Sequence, residues 1–193
     1  MTVDLGGTYD ELRRFATEAT SALGGRVDIL VNNAGIYPAT ATADLPDADL
    51  DAMLAVNIQA PHVLVAAIAP TMAERGRGAI VNVGSWMARV GSPFAAMYTA
   101  TKAADEQLTG AWAAEFGTRG VRVNTVAPGV TLTPGNESSR PVLDAMTAKT
   151  PAGVVVRPEH IAASVVFLAS DDAAMVLGTI LDVDGGISAT RMG

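Results

Sequence analysis

The chain has 193 residues, 49% of them hydrophobic, and a formal net charge of −7. One domain with a sizeable core is expected at this length, and the acidic balance argues against nucleic acid or an anionic membrane as partner, since both call for a surplus of Lys and Arg. Without Cys, and with His62 and His160 far apart in sequence, there is no disulfide framework and no metal-ligand cluster, so both His read as structural and no metal is expected.

The opening Met-Thr-Val-Asp-Leu-Gly-Gly lacks the basic and apolar segments of a signal peptide. Thr8-Tyr-Asp-Glu11 has the spacing of a capping box, and Leu12, Phe15, Ala16, Ala19 and Leu23 then recur at helical period until Gly24-Gly25. Residues 27–31 form a short run, apolar except for Asp28, as in a parallel strand covered on both faces. Asn32-Asn33-Ala34-Gly35 follows its carboxyl end, where α/β sheets hold ligands. From Asp47 to about Arg75 the pattern predicts a long helix interrupted by Pro61 and Pro70. Proline has no N–H, so Pro61 is expected to free the main-chain oxygen of Asn57 for a water and to bend the helix there. The apolar run 63–69, bounded by these prolines, is well short of the roughly 20 residues that span a bilayer, and a cytoplasmic protein with no membrane partner is expected.

Residues 79–83 make the next strand and deliver Ser85 just past its carboxyl end. Tyr98 and Lys102 follow, four apart with no Pro or Gly between them, so on a helix their side chains share one face. A free Tyr titrates at about pH 10, and an ammonium beside it favours phenolate, which makes Tyr98 a candidate general acid/base. That helix runs to about Phe116, and its Met97, Ala100, Ala103, Leu108 and Trp112 offer surfaces for the sheet or for a second subunit. Residues 121–126 form a strand broken by Pro128-Gly129. The polar, Pro/Gly-punctuated stretch 132–152, around a short helix at 140–149, reads as a substrate-covering lid. Pro158 opens a helix through Ile161, Val165 and Leu168, and 179–183 is the last strand, closed by Asp184-Gly185-Gly186. With no internal repeat and no linker, the chain reads as a single α/β domain over residues 1–193, doubly wound about a mostly parallel sheet.

Ser85 placed thirteen residues before Tyr98, the Tyr98-x-x-x-Lys102 pair, Asn32-Asn33-Ala34-Gly35 upstream and Pro128-Gly129 downstream together resemble the short-chain dehydrogenase/reductase family, from Asp4 to Gly186. The resemblance implies a Rossmann-like oxidoreductase that moves a hydride between NAD or NADP and a small alcohol or ketone, with the choice of cofactor and the substrate left open. It implies that Tyr98 exchanges the proton, Lys102 lowers the Tyr98 pKa and bonds the nicotinamide ribose, Ser85 bonds the carbonyl oxygen and Asn57 anchors a proton-relay water. Asp4 and Leu5 would lie at the adenine, Asn33, Ala34 and Gly35 at the adenosine and ribose, and Pro128 and Gly129 at the ligand end of their strand. Thr131 would serve the nicotinamide carboxamide and Thr133 a phosphate. Trp86, Tyr37 and Phe94 would line an apolar substrate pocket with the lid. A homodimer or homotetramer would form through the Tyr98 helix and the long helix before it. Val154 stands where the family often has Arg, a change read as affecting packing.

The family's phosphate loop, Thr-Gly-x-x-x-Gly-x-Gly, does not occur in the chain. The resemblance therefore implies a truncated member holding the last four strands of the order 3-2-1-4-5-6-7. Ile29, Leu30 and Val31 would then form an exposed apolar edge, and the stripe Leu12, Phe15, Ala19, Leu23 would lose much of its packing. Poor solubility, or NAD(P)H binding at least a hundredfold weaker than in a version extended upstream, is expected on that reading. The second reading is a catalytically silent fragment or oligomerisation module.

Overall fold

Four parallel strands, β1 (Ile29–Asn32), β2 (Gly78–Val83), β3 (Val121–Pro128) and β4 (Ile180–Val183), lie side by side in sequence order in a computed structural model that describes residues 1–189. Alternate residues of a strand face opposite sides, and each side here has its own core. Ile80, Val121 and Val123 pack with Ala16 of α1 (Tyr9–Ala22), Leu64, Ile68 and Met72 of α3 (Ala60–Glu74), and Trp112 and Phe116 of α4 (Ala96–Phe116). Val81 and Val126 face the other way, onto Ile161, Val165 and Leu168 of α6 (Pro158–Ala169). Helices on both faces make the sheet doubly wound, as the alternating pattern requires.

The capping box forms as written: Thr8 Oγ1 accepts the Glu11 N–H, and the Glu11 carboxylate accepts the Thr8 N–H at 2.8 Å, a cap that contributes about 1 kcal/mol. Leu12 is buried against Ala60 and Val63 of α3, so the apolar stripe of α1 keeps its inner partners; only its last member, Leu23, is left out in solvent. Gly24 and Gly25, at φ 77° and 84°, then turn the chain through the left-handed region that only glycine enters cheaply.

β1 departs from expectation in two ways. It starts at Ile29, the first residue to pair with β2. Val27 is instead buried, its carbonyl accepting from Arg75 Nη2 at 2.6 Å. Nor is the strand covered on both faces: Leu30 packs on the α1/α3 core, whereas Ile29 and Val31 are 50% and 40% exposed on the face that α6 does not reach.

The predicted long helix consists of α2 (Asp47–Leu54), a π turn (Ala55–Gln59) and α3. The Ala60 N–H donates to Ala55 five residues back, so the distortion falls just before Pro61, where the helical ladder lacks a donor. Taken as one helix, residues 47–74 are long and apolar enough to cross a bilayer, more than the short run at 63–69 suggested. Met53, Ala60, Val63, Leu64, Val65, Ile68 and Met72 are nonetheless buried in the protein, which accounts for the apolar composition as that of a core helix. The 132–152 stretch contains a 3₁₀ turn at Pro134–Ser139 and α5 (Arg140–Thr147), which ends two residues earlier than predicted. Val154 is 62% exposed, so little of the packing rests on its side chain.

Asn124 fixes the entry to β4. Its Nδ2 donates to Val176 O at 2.7 Å and its Oδ1 accepts the Thr179 N–H at 3.0 Å, both from a buried position in mid-strand β3. Asn124→Ala strands both backbone groups and is expected to lower stability by about 2 kcal/mol or more, read as an earlier midpoint in guanidinium unfolding.

Candidate active site

β2 ends at Val83, and the two residues after it are shaped by what lies beneath them. A Cβ on Gly84 would stand 2.8 Å from Thr125 Cγ2, and the Gly84 N–H donates to Val126 O at 2.8 Å, so the turn lies flat on β3. Ser85 is thereby buried beyond the strand end, where it caps the short turn Trp86–Arg89 by accepting the Met87 N–H at 3.2 Å. Arg89 of that turn pairs with Glu106 of α4 at 3.2 Å and with Asp182 of β4, tying the turn to both neighbours.

α4 brings Tyr98 and Lys102 to the same end of the sheet. The Tyr98 ring packs against Tyr37, with centroids 4.5 Å apart and planes at 55°. Lys102 is buried, and its Nζ donates to Val83 O at 2.9 Å and to Asp105 Oδ2 at 3.0 Å. The expectation that Lys102 depresses the Tyr98 pKa is not met. Burial pushes the phenol above the ordinary tyrosine range, a hydrogen bond with Ser85 pulls it down, the Asp105 charge pushes it up, and the net direction is upward. The physical reason is first burial, which opposes the charged phenolate, and then the negative charge of Asp105, three residues past Lys102, neither of which the Tyr-x-x-x-Lys spacing contains.

Asn57, in the π turn, is buried and uses its side chain rather than only its main-chain oxygen. Oδ1 accepts the Ile36 N–H at 2.9 Å, while Nδ2 donates to Ile36 O at 3.0 Å and to Thr101 Oγ1 at 3.1 Å, which clamps the loop after β1 onto α4. Gly35 in that loop is positioned so that a Cβ would lie 3.4 Å from Asn57 Oδ1 and 3.6 Å from Lys102 Nζ. The loop main chain therefore runs directly beside the ammonium.

Of the residues the resemblance assigns to a cofactor, Asn33, Pro128, Thr131 and Thr133 line one cleft of about 560 Å³, with Val83 at its floor and Ile161, Val165 and Val166 of α6 along its wall. Pro128-Gly129 reaches this edge by close approach: a Cβ on Gly129 would stand 2.5 Å from Asp184 Cα. The Thr131 carbonyl is occupied by Asn136 Nδ2 at 2.9 Å. Leu5, Asn33 and Ala34 border a much smaller hollow of about 60 Å³ over α3. Asp4 stands apart in a groove with Glu11 and Arg14, its carboxylate capping the Gly6 N–H at 2.9 Å. Trp86, Tyr37 and Phe94 do not line the cleft; Tyr37 lies on Tyr98, and Phe94 projects into solvent. Asp105, Thr101 and Asn136 were not anticipated, although Asp105 carries a sequence signal of its own, three residues after a lysine on the same helix.

A family model described as enoyl-(acyl carrier protein) reductase matches residues 7–188. A D-threitol dehydrogenase of Mycolicibacterium smegmatis is 42% identical over 173 residues, 89% of this chain and 66% of that protein. A 3-oxoacyl-[acyl-carrier-protein] reductase of Thermotoga maritima is 36% identical over 84% of this chain and 67% of its own length. Among solved structures, a gluconate 5-dehydrogenase of Burkholderia cenocepacia in complex with NADP and tartrate superposes with a TM-score of 0.90 at 31% identity, over 98% of this chain and 74% of that one. The chain thus spans about two thirds of the length of the curated relatives it matches. Matched over nearly all of its length in sequence and in fold, it belongs to the short-chain dehydrogenase/reductase family.

Proposed function

We propose that the chain works as an oxidoreductase that interconverts a small alcohol and the corresponding ketone or aldehyde with NAD or NADP. The observation that carries this reading is the convergence of Ser85, Tyr98 and Lys102 at the end of β2, where Lys102 bonds the carbonyl of Val83, a residue that also lines the cleft. The cleft is large enough for a nicotinamide and its ribose, and an ammonium has three N–H donors, of which Val83 and Asp105 take two. When bound, the nicotinamide supplies or accepts the hydride. Tyr98 gives its phenol proton to the substrate oxygen in reduction and takes it back in oxidation. Ser85 donates a hydrogen bond to the same oxygen, from a buried site where such a bond acts without the screening of water. Lys102 turns its remaining N–H toward a ribose hydroxyl, Asn57 holds the neighbouring loop and offers its main-chain oxygen to a relay water, and Asn33, Gly35, Pro128, Gly129, Thr131 and Thr133 border the cofactor.

The relatives named above, D-threitol and gluconate dehydrogenases and a 3-oxoacyl reductase, support a search among polyols, sugar acids and 3-oxoacyl thioesters. The same reading places the protein in the cytoplasm and pairs it with copies of itself through the exposed small residues of α3 and α4, such as Ala66, Ala67, Ala100 and Ala103.

Three substitutions test the roles. Tyr98→Phe is expected to lower kcat more than tenfold while leaving NADPH affinity nearly unchanged in calorimetric titration, and retention of more than a tenth of the activity contradicts the assignment. Lys102→Ala is expected to weaken NADPH binding and turnover together; cofactor affinity equal to that of the parent removes its ribose role. Because the Ser85 hydrogen bond lowers the Tyr98 pKa, Ser85→Ala is expected to move the phenol titration to still higher pH, widening the range in which Tyr98 is neutral and a donor.

A further inference from the structure

Asp105 lies on α4, one turn past Lys102, and its side chain and that of Lys102 are each only 6% exposed. A carboxylate taken this far from water is costly unless it meets a cation at close range, and Asp105 Oδ2 stands 3.0 Å from Lys102 Nζ. The same ammonium donates to Val83 O at 2.9 Å, so two fixed acceptors hold two of its three N–H groups. The direction of the third is then set by tetrahedral geometry and not by the flexible lysine stem. We propose that Asp105 is a positioning residue of this site: its carboxylate fixes the orientation of the Lys102 ammonium and offsets the charge that ammonium presents to Tyr98, so that the phenol is kept as a proton donor. The proposal rests on the reading of Tyr98 as the proton-exchanging group, and nothing in the Ser85, Tyr98, Lys102 and Asn57 set requires an acid at this position.

Among the described residues, the surroundings leave Asp105 as the charge that acts on this pair. On its own helix it faces Lys102, Tyr98 and Glu106. Glu106 is paired with Arg89 of the Trp86–Arg89 turn, and Arg89 in turn with Asp182 of β4. β3 presents Thr125 on this face, and its one cation, Arg122, lies on the other, bonded to the carbonyls of Leu168, Ala169 and Ser170 at the end of α6. The π turn presents Asn57 and no charge. Asp47, Asp49 and Asp51 of α2 are exposed to solvent, as are Glu74 and Arg75 at the end of α3, and the 3₁₀ turn after α4 carries only the exposed Arg119. Burial raises the Asp105 pKa more than Lys102 lowers it, leaving it above the ordinary carboxylate value, and the Asp105 charge in turn raises that of Tyr98.

The test reads the phenol directly and needs no turnover. Tyrosine ring-carbon NMR on isotope-labelled protein follows three residues, Tyr9, Tyr37 and Tyr98, and Tyr98→Phe assigns the Tyr98 signal. Asp105→Asn keeps the side-chain shape and removes the charge. It is expected to move the Tyr98 titration to lower pH by several tenths of a unit or more, while Asp105→Glu returns it toward the parent value. A Tyr98 titration unchanged or raised in folded Asp105→Asn overturns the proposal, as does a Glu variant that behaves like the Asn one. Should Asp105→Asn lose its far-ultraviolet circular dichroism, Asp105→Ser is read by the same criterion. If Tyr98 shifts as expected but Tyr98→Phe retains full turnover, the proton-donor reading falls while the Asp105–Tyr98 coupling stands. If turnover depends on Tyr98 but its titration ignores Asp105, the positioning role falls alone.

Discussion

Lys102 carries a full charge into a region with almost no solvent, and the arrangement at the carboxyl end of the sheet follows from satisfying it. Val83 O supplies one acceptor because β2 ends at the level of the ammonium, and Asp105 supplies the other because it lies one turn along the same helix. Losing either contact would leave a buried cation under-bonded, which costs several kcal/mol in order of magnitude and far exceeds what an exposed pair on α4 would be worth. The ammonium thus fastens α4 to β2 at the place where Ser85 and Tyr98 must meet.

Below this point the sheet is crossed by polar rather than apolar side chains. Asn32 Nδ2 donates to Asn82 Oδ1 at 2.8 Å, Asn82 Nδ2 donates to Thr109 Oγ1 at 2.8 Å, and Thr109 and Thr125 share a hydroxyl bond of 2.6 Å. This chain of bonds joins β1, β2 and β3 to α4 on the α1/α3/α4 face, immediately under the turn that carries Ser85. Apolar side chains of similar size would fill the space, but directional bonds also fix the register between strand ends and helix, and with it the spacing of Ser85, Tyr98 and Lys102.

How much of this was legible depended on how local each cause is. The capping box at Thr8, the stop at Gly24-Gly25 and the Tyr98–Lys102 face are set by residues within a turn of one another, and the structure reproduces them. The parallel order was carried by the alternation of helix and strand. What escaped is decided by contacts remote in sequence: Asn124 holding the Val176–Thr179 turn, Asn57 clasping Ile36, and the uncovered face of β1, whose apolar run reads the same whether or not anything lies above it. Tyr98 marks the boundary. Its neighbour Lys102 was plain from spacing, but the direction of its pKa depends on burial and on Asp105, and a pairwise spacing rule contains neither.

The π turn at Ala55–Gln59 has a consequence for how this helix can change length. A π turn takes up one residue more than an α turn, so deleting a single residue from it would still leave a continuous, well-bonded helix. A π turn spends five residues on about the rotation that four spend in an α-helix, so α2 and α3 keep the phase of one uninterrupted helix on either side of it. Val63, Leu64 and Ile68 stay turned to the core, while Asn57, inside the turn, projects in a direction that a regular helix would not give it and reaches Ile36. The extra residue therefore aims one loop clamp without disturbing the packing of the helix that carries it.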